Sequence, residues 1–253
     1  MQNIDENSDV YCLSDVGLKR SNNEDAAYAG KSPYGILLAV ADGMGGHRKG
    51  EVASKIIIDS LSLPFVSFRR DFNVGKARHF IRKYLKAANK SIYEMSLSGN
   101  ELKEMGSTAV CALISDNGTF ISSVGDSRCY TYSEADGLIR RTTDQTYVEL
   151  LFETGKITHD EIANHPQKNL LINAVGINPD LSQVQEVILA KDSYECILLC
   201  SDGLYNMVSD AEIASTMAKK ISVCEKAHEL INKALENGGK DNVAVSVWEN
   251  NTK

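Results

Sequence analysis

Apolar residues recur along this chain with two different periods, separated by short polar turns. Residues 36–41 form an unbroken apolar run, and 196–200 form another. Runs of this kind, bounded by turn residues, predict strands buried on both faces. Further β-rich segments lie at 10–16, 108–115, 119–124, 128–133, 184–190 and 242–248. Asn117-Gly118 and Asp136-Gly137 are two-residue hairpin signals, so the middle of the chain reads as an antiparallel meander. A three-to-four period takes over in 74–95. Ala77, Ile81, Tyr84, Leu85, Ala88, Ile92 and Met95 make one stripe, which predicts a helix packed on the core. Other helices are expected over 51–61, over 209–219 behind a Ser209/Glu212 capping box, and over 223–236 before Gly238-Gly239. Short helical pieces at 147–152 and after Thr158 make 145–176 a small insertion over the sheet, suited to act as a mobile flap. Residues 96–103 read as a polar loop and the first nine as a disordered lead. Strands and helices are grouped rather than alternating. That favours an α+β fold with antiparallel sheets and helices outside them over a doubly wound parallel sheet.

Composition narrows the picture. A chain of 253 residues, 43% hydrophobic and 24% charged, supports one large core, and a single domain over 1–253 is expected. The formal net charge of -7 argues against nucleic-acid binding. The six cysteines include no Cys-x-x-Cys pair and mostly fall in apolar runs. They read as reduced core residues. The polar start carries no signal-peptide pattern, and no apolar stretch reaches the roughly 20 residues of a membrane helix. A cytoplasmic protein without membrane contact is the expectation.

The candidate chemistry lies at the strand ends. Asp42 follows a buried run and opens Asp42-Gly43-Met44-Gly45-Gly46-His47; Asp202-Gly203 follows another such run. Asp126 sits in Val-Gly-Asp-Ser-Arg, and Asp241 precedes the last strand. Each alone reads as a turn former. Together, four carboxylates in one domain would repel unless cations joined them, and oxygen ligands select hard ions such as Mg²⁺ or Mn²⁺. Arg20, ahead of Glu24 and Asp25, is a candidate anion clamp. Two metals and an arginine suit phosphate-ester hydrolysis. Neither a Cys-based phosphate loop nor a nucleotide-binding Gly-x-x-x-x-Gly-Lys-Ser/Thr loop is present.

These stretches resemble the metal-dependent protein serine/threonine phosphatases of type 2C in their bacterial form. The matching segments are RSNNED at 20–25, VADGMGGHRKGEVAS at 40–54, GSTA at 106–109, VGDSR at 124–128, TTDQTYVELL at 142–151, HPQKNLLINAVG at 165–176, LLCSDGLYN at 198–206 and GGKDNVAVSVW at 238–248. The resemblance implies a four-layer αββα sandwich that binds two or three Mn²⁺ or Mg²⁺ ions. It implies hydrolysis of phosphoserine and phosphothreonine in proteins by a water activated between two metals. By the same resemblance, Asp42 bridges two metals, the Gly43 carbonyl binds one, and Asp202 and Asp241 complete the direct ligands. Glu24 and Asp25 act through water, Asp126 serves a third ion, and Arg20 grips the phosphate. The implied partners are phosphoproteins and a cognate serine/threonine kinase, with the enzyme a monomer. Many eukaryotic members carry a histidine directly after Asp-Gly; here Met44 stands there and His47 follows three residues later. The alternatives are a non-catalytic sensing module of the same fold, which should have lost these aspartates, and another two-metal hydrolase, which commonly adds histidine ligands.

Overall fold

The structure is a computed structural model that describes residues 8–45, 48–98 and 105–250. Residues 1–7 of the expected nine-residue lead, His47 and most of the 96–103 loop lie outside the described residues; Asp9 is described and pairs with Lys31 at 2.6 Å. The chain runs β1 (Val10–Asp15), β2 (Asp25–Ser32), β3 (Gly35–Met44), α1 (Arg48–Ser67), α2 (Val74–Leu97), β4 (Gly106–Ser107), β5 (Ala109–Ser115), β6 (Gly118–Val124), β7 (Arg128–Ser133) and β8 (Gly137–Arg140). It continues through α3 (Tyr147–Glu153), α4 (His159–Ile162), β9 (Gln185–Leu189), β10 (Cys196–Cys200), α5 (Asp202–Tyr205), α6 (Asp210–Met217), α7 (Val223–Glu236) and β11 (Val243–Glu249). One sheet has the order β1-β11-β10-β7-β8, the other β2-β3-β5-β6-β9, with β4 on the end of β3. The described ladders are antiparallel.

The period-2 geometry of β3 explains its unbroken apolar run. Leu37, Ala39 and Ala41 face α1 and α2, while Leu38 and Val40 face the other sheet. On the far side, Leu198, Cys200, Val243 and Val245 pack against α6 and α7. Three apolar layers therefore hold four structural layers, helix–sheet–sheet–helix, as expected. The α2 stripe is buried where the spacing placed it, at Ala77, Ile81, Leu85, Ala88 and Ile92. Each fully buried large aliphatic chain there contributes about 1.5–3 kcal/mol. The six cysteines are free thiols, four of them buried. Among the described residues, no helix is long and apolar enough to cross a membrane.

Four expectations change. The middle of the chain is not one meander: β5–β6 lies in one sheet and β7–β8 in the other. The strand β2 was not legible, because Ala, Gly and Lys are weak strand formers and tertiary pairing with β3 decides it. Strand β3 runs on through Asp42, Gly43 and Met44, since β4 supplies partners for Gly43 and Met44. Helix α1 continues past Leu61 through Pro64, anchored on either side by the buried Leu61 and Phe65.

Candidate metal and phosphate site

Adjacent strands deliver the first carboxylates. Asp42 on β3 stands directly opposite Asp25 on β2. The Asp42 amide donates to Thr108 Oγ1 at 3.0 Å, and the Ser107 hydroxyl and Thr108 amide donate to the Asp42 carbonyl, both at 2.8 Å. Next to it, Gly43 has no room for a side chain: a Cβ would lie 2.0 Å from the Gly50 carbonyl oxygen. That contact brings the first turn of α1 against β3, and the Gly43 amide donates to the Glu24 carbonyl at 3.1 Å. The glycine-rich stretch is therefore a close approach of two backbones.

The chain crosses between sheets after β6, at Gly125. Its φ of +94° lies in the left-handed region, and a Cβ there would lie 2.7 Å from Thr108. This crossing, hidden by the meander reading, delivers Asp126 to the same end as Asp42. Asp202 opens α5 directly after β10, with Ser201 as N-cap. Asp241 precedes β11 and accepts a 2.8 Å hydrogen bond from Arg20. Asn242 ties these pieces together. Its amide group donates to the Val16 and Asn22 carbonyls at 2.8 and 2.9 Å, and its side-chain oxygen accepts from the Glu24 amide at 2.8 Å.

The result is a cleft of about 990 Å³ whose walls include Arg20, Glu24, Asp42, Asp126, Asp202 and Asp241, together with Gly43 and Met44. Asp25 is not on the wall. It lies beneath, 8% exposed, and accepts a 2.6 Å hydrogen bond from the buried Ser201 hydroxyl. Burial, and then the charges of Asp202 and Asp241, push the Asp25 carboxyl up to about 8. Burial, and then Asp202 and Asp144, push Asp126 up to about 7. Burial, and then Asp241, push Asp202 up to about 6. Asp42 is raised well above the usual carboxylate range by burial and by Asp25, Asp202, Asp126 and Asp241. These carboxyls are pushed up because negative charge is crowded together away from water.

That crowding is what a divalent cation relieves, and the donors are hard oxygens with no cysteine or histidine on the described walls. Among the described residues, no three such side chains close on a single ion-sized point. An ion here would draw the rest of its shell from water or from substrate, as Mg²⁺-type sites do. The residues fit the metals the sequence suggested.

Beside the cleft lies a balanced cluster. Arg128 donates to both Asp144 oxygens, from Nη2 at 2.7 Å and from Nε at 3.1 and 3.2 Å, and Arg140 reaches Asp144 at 3.3 Å. The Arg128 guanidinium lies 3.5 Å over the Tyr205 ring, and the Tyr205 hydroxyl donates to the Asp126 carbonyl at 3.1 Å. Against the burial that would lower it, Asp144 holds Arg128 protonated. Asp144 is also the root of the 145–176 insertion. Gln145 takes the Gly125 and Asn173 side of that root: its side-chain oxygen accepts from the Gly125 amide at 2.9 Å and from Asn173 at 2.8 Å. At the other end Asn89 of α2 accepts from the Gly176 amide at 2.7 Å. Leu170 and Leu171 of the insertion form part of the cleft wall.

Asp42, Asp126, Asp202, Asp241, Glu24 and Arg20, singled out from the sequence, thus share one cleft. Asn242, Ser201, Thr108, Arg128, Asp144 and Gln145, which position them, were not recognised. Nothing in a single sequence distinguishes such buried polar residues from exposed ones.

This helix–sheet–sheet–helix sandwich is the fold of solved bacterial serine/threonine phosphatases. The chain belongs to the protein phosphatase 2C family, whose model matches residues 19–237. It is 35% identical over 240 residues to the serine/threonine phosphatase stp of Listeria innocua, covering 94% of each chain. It superposes on the serine/threonine phosphatase Stp1 of Staphylococcus aureus with a TM-score of 0.88 at 33% identity, covering 95% of this chain and 94% of that one. The catalytic domain of the serine/threonine protein phosphatase PstP, in complex with two manganese ions, matches with a TM-score of 0.79 at 34% identity, covering 95% and 96%.

Proposed function

We propose that this chain hydrolyses phosphoserine and phosphothreonine in proteins, with divalent cations held by Asp42, Asp202, Asp241 and the Gly43 carbonyl. Asp126 serves a further ion, and Glu24 acts through water. Asp25, expected with Glu24 to act through water, lies buried opposite Asp42 and off the cleft wall, and is proposed instead to set the position and charge of Asp42. Bound cations would neutralise phosphoryl oxygens and make water a nucleophile at neutral pH. Arg20, half-exposed on the cleft wall, presents a planar fork to a phosphoryl group. Its pair with Asp241 costs little to rearrange, because exposed pairs contribute about 0–1 kcal/mol.

The observation that carries this reading is the gathering of Glu24, Asp42, Asp126, Asp202 and Asp241 on the walls of one cleft together with Arg20. It is supported by the serine/threonine phosphatase names of relatives alike over nearly their whole length. The protein is proposed to act as a monomer on phosphoproteins, opposing a serine/threonine kinase. Phosphate release from a phosphothreonine peptide should require Mn²⁺ or Mg²⁺ and stop with a chelator. Release that is indifferent to chelation, or absent with either metal, refutes the assignment.

A further inference from the structure

Helix α2 carries Lys76, Arg78, Arg82, Lys83, Lys86 and Lys90 against one acid, Glu94, in a chain of net charge -7. Its cations fall into two groups. Arg78 and Arg82 turn towards β9 and both pair with Glu186. Arg70, Lys76, Lys83 and Lys86 have no ion-pair partner among the described residues, and all four are exposed. Glu186 neutralises Arg78 and Arg82, and Glu94 pairs with Lys90 at 3.7 Å, while Arg70, Lys76, Lys83 and Lys86 stay positive.

The positive set begins at a groove of about 600 Å³ where the α1–α2 connection meets α2. Its walls combine Phe68, Phe80 and Tyr84 with Arg70, Lys76 and Lys83, and no described carboxylate lines it. Lys83 lies 5.1 Å from the centroid of the Tyr84 ring. The nearby Asp71 lines a different cavity. From the groove, exposed Lys83, Lys86 and Lys90 follow at steps of three and four, so they share one face. The same face reaches Tyr93 and Leu97, which are part of the catalytic cleft wall. Lys83 and Leu97 lie 14 positions apart in the sequence. That is about 21 Å along the axis at a rise of 1.5 Å per residue. An extended peptide covers it with roughly seven residues.

We propose that this groove and lysine track are a docking surface for an acidic segment of the substrate phosphoprotein, anchored by an aromatic or apolar side chain. The aromatic walls take the anchor, and the cations take flanking carboxylates. A segment held there raises the local concentration of a phosphorylated residue at the cleft roughly seven extended residues away. The partner's identity as a substrate rests on the phosphatase reading above; the binding of an acidic, apolar segment does not.

Two measurements separate these layers. The first is fluorescence anisotropy of a dye-labelled peptide in which phenylalanine is flanked by glutamates. The wild-type chain should bind it, and a Lys83→Glu/Lys86→Glu variant should bind about tenfold or more weakly. A control with the same charge change elsewhere, Lys55→Glu/Lys219→Glu, should bind like the wild type. The second compares a phosphothreonine peptide with versions extended on either side by that acidic segment. One extension should lower KM by about tenfold without changing kcat. The variant should lose this advantage and treat the short peptide normally. Absent or variant-insensitive peptide binding overturns the proposal. So does binding of phosphatidylglycerol vesicles by the same lysines without any preference for the extended peptide, which would make the track a lipid-facing surface. If peptide binding behaves as expected but neither peptide is hydrolysed, the docking surface stands and the phosphatase reading fails.

Discussion

Two charged clusters sit side by side, joined through Tyr205, and they obey opposite rules. In the Arg128–Asp144–Arg140 cluster every charge faces its opposite at hydrogen-bonding distance. In the cleft, Asp42, Asp126, Asp202 and Asp241 face each other, with Arg20 pairing at the edge. The first arrangement is complete without a ligand. In the second, like charges face one another with a single arginine at the edge, and protons or cations would relieve their repulsion. Burial alone does not tell the two apart, since Asp144 and Asp126 are both largely enclosed. Charge balance does.

The sharpest way to break this comparison is to neutralise one member of each cluster. Asp202→Asn keeps its volume and its hydrogen bond with Asn206. Turnover should fall on the order of 10²–10³-fold. The metal-free protein should melt no lower, because a repelling charge is gone. Full turnover at saturating Mn²⁺ would remove Asp202 from the site. Arg128→Met should do the reverse. It leaves the Asp144 carboxylate buried beside Arg140 alone, so stability should fall by about 3 kcal/mol. Denaturant titration measures this, and an unchanged midpoint would dissolve the distinction between the clusters.

Smaller effects sharpen it. Arg20→Ala should raise KM for a phosphopeptide about tenfold, since a charge-assisted, two-pronged contact is lost. Metal affinity, followed by calorimetry, should change little; the opposite pattern would make Arg20 a partner of Asp241 and nothing more. The mildest test is pH. Asp202, Asp126 and Asp25 titrate near 6, 7 and 8 in the fold, against about 4 when unfolded. Raised carboxyls favour the fold in their protonated form, so that contribution is present below about pH 4 and is lost as pH climbs through 6–8. Carboxylates held low act far from this window, such as Glu229 at about 2 beside Lys219. The metal-free protein should therefore melt on the order of 3 °C higher at pH 6 than at pH 8. Mn²⁺ at pH 8 should raise the melting point and remove that advantage. A melting point independent of both pH and Mn²⁺ would show that the cleft carboxyls are not crowded.

The sequence by itself determined much of this protein. Unbroken apolar runs specified β3 and β10, because a strand buried on both faces has no polar positions. The three-to-four spacing in α2 and the Ser209/Glu212 capping box specified helices through purely local contacts. Aspartates at the ends of such strands announced a site, because the core fixes where they stand. Tertiary structure alone decided the remainder. Strand β2 exists because β3 offers it an edge. The chain changes sheets at Gly125 because a left-handed backbone packed on Thr108 carries it across, and only then does Asp126 meet Asp42. Asp25 and Asp42 are neighbours through strand register, 17 positions apart in the chain. Their raised pKa values and the balance of Arg128 with Asp144 depend on distances and burial between residues remote in sequence. Such quantities have no local signature, because charge acts through space and not along the chain.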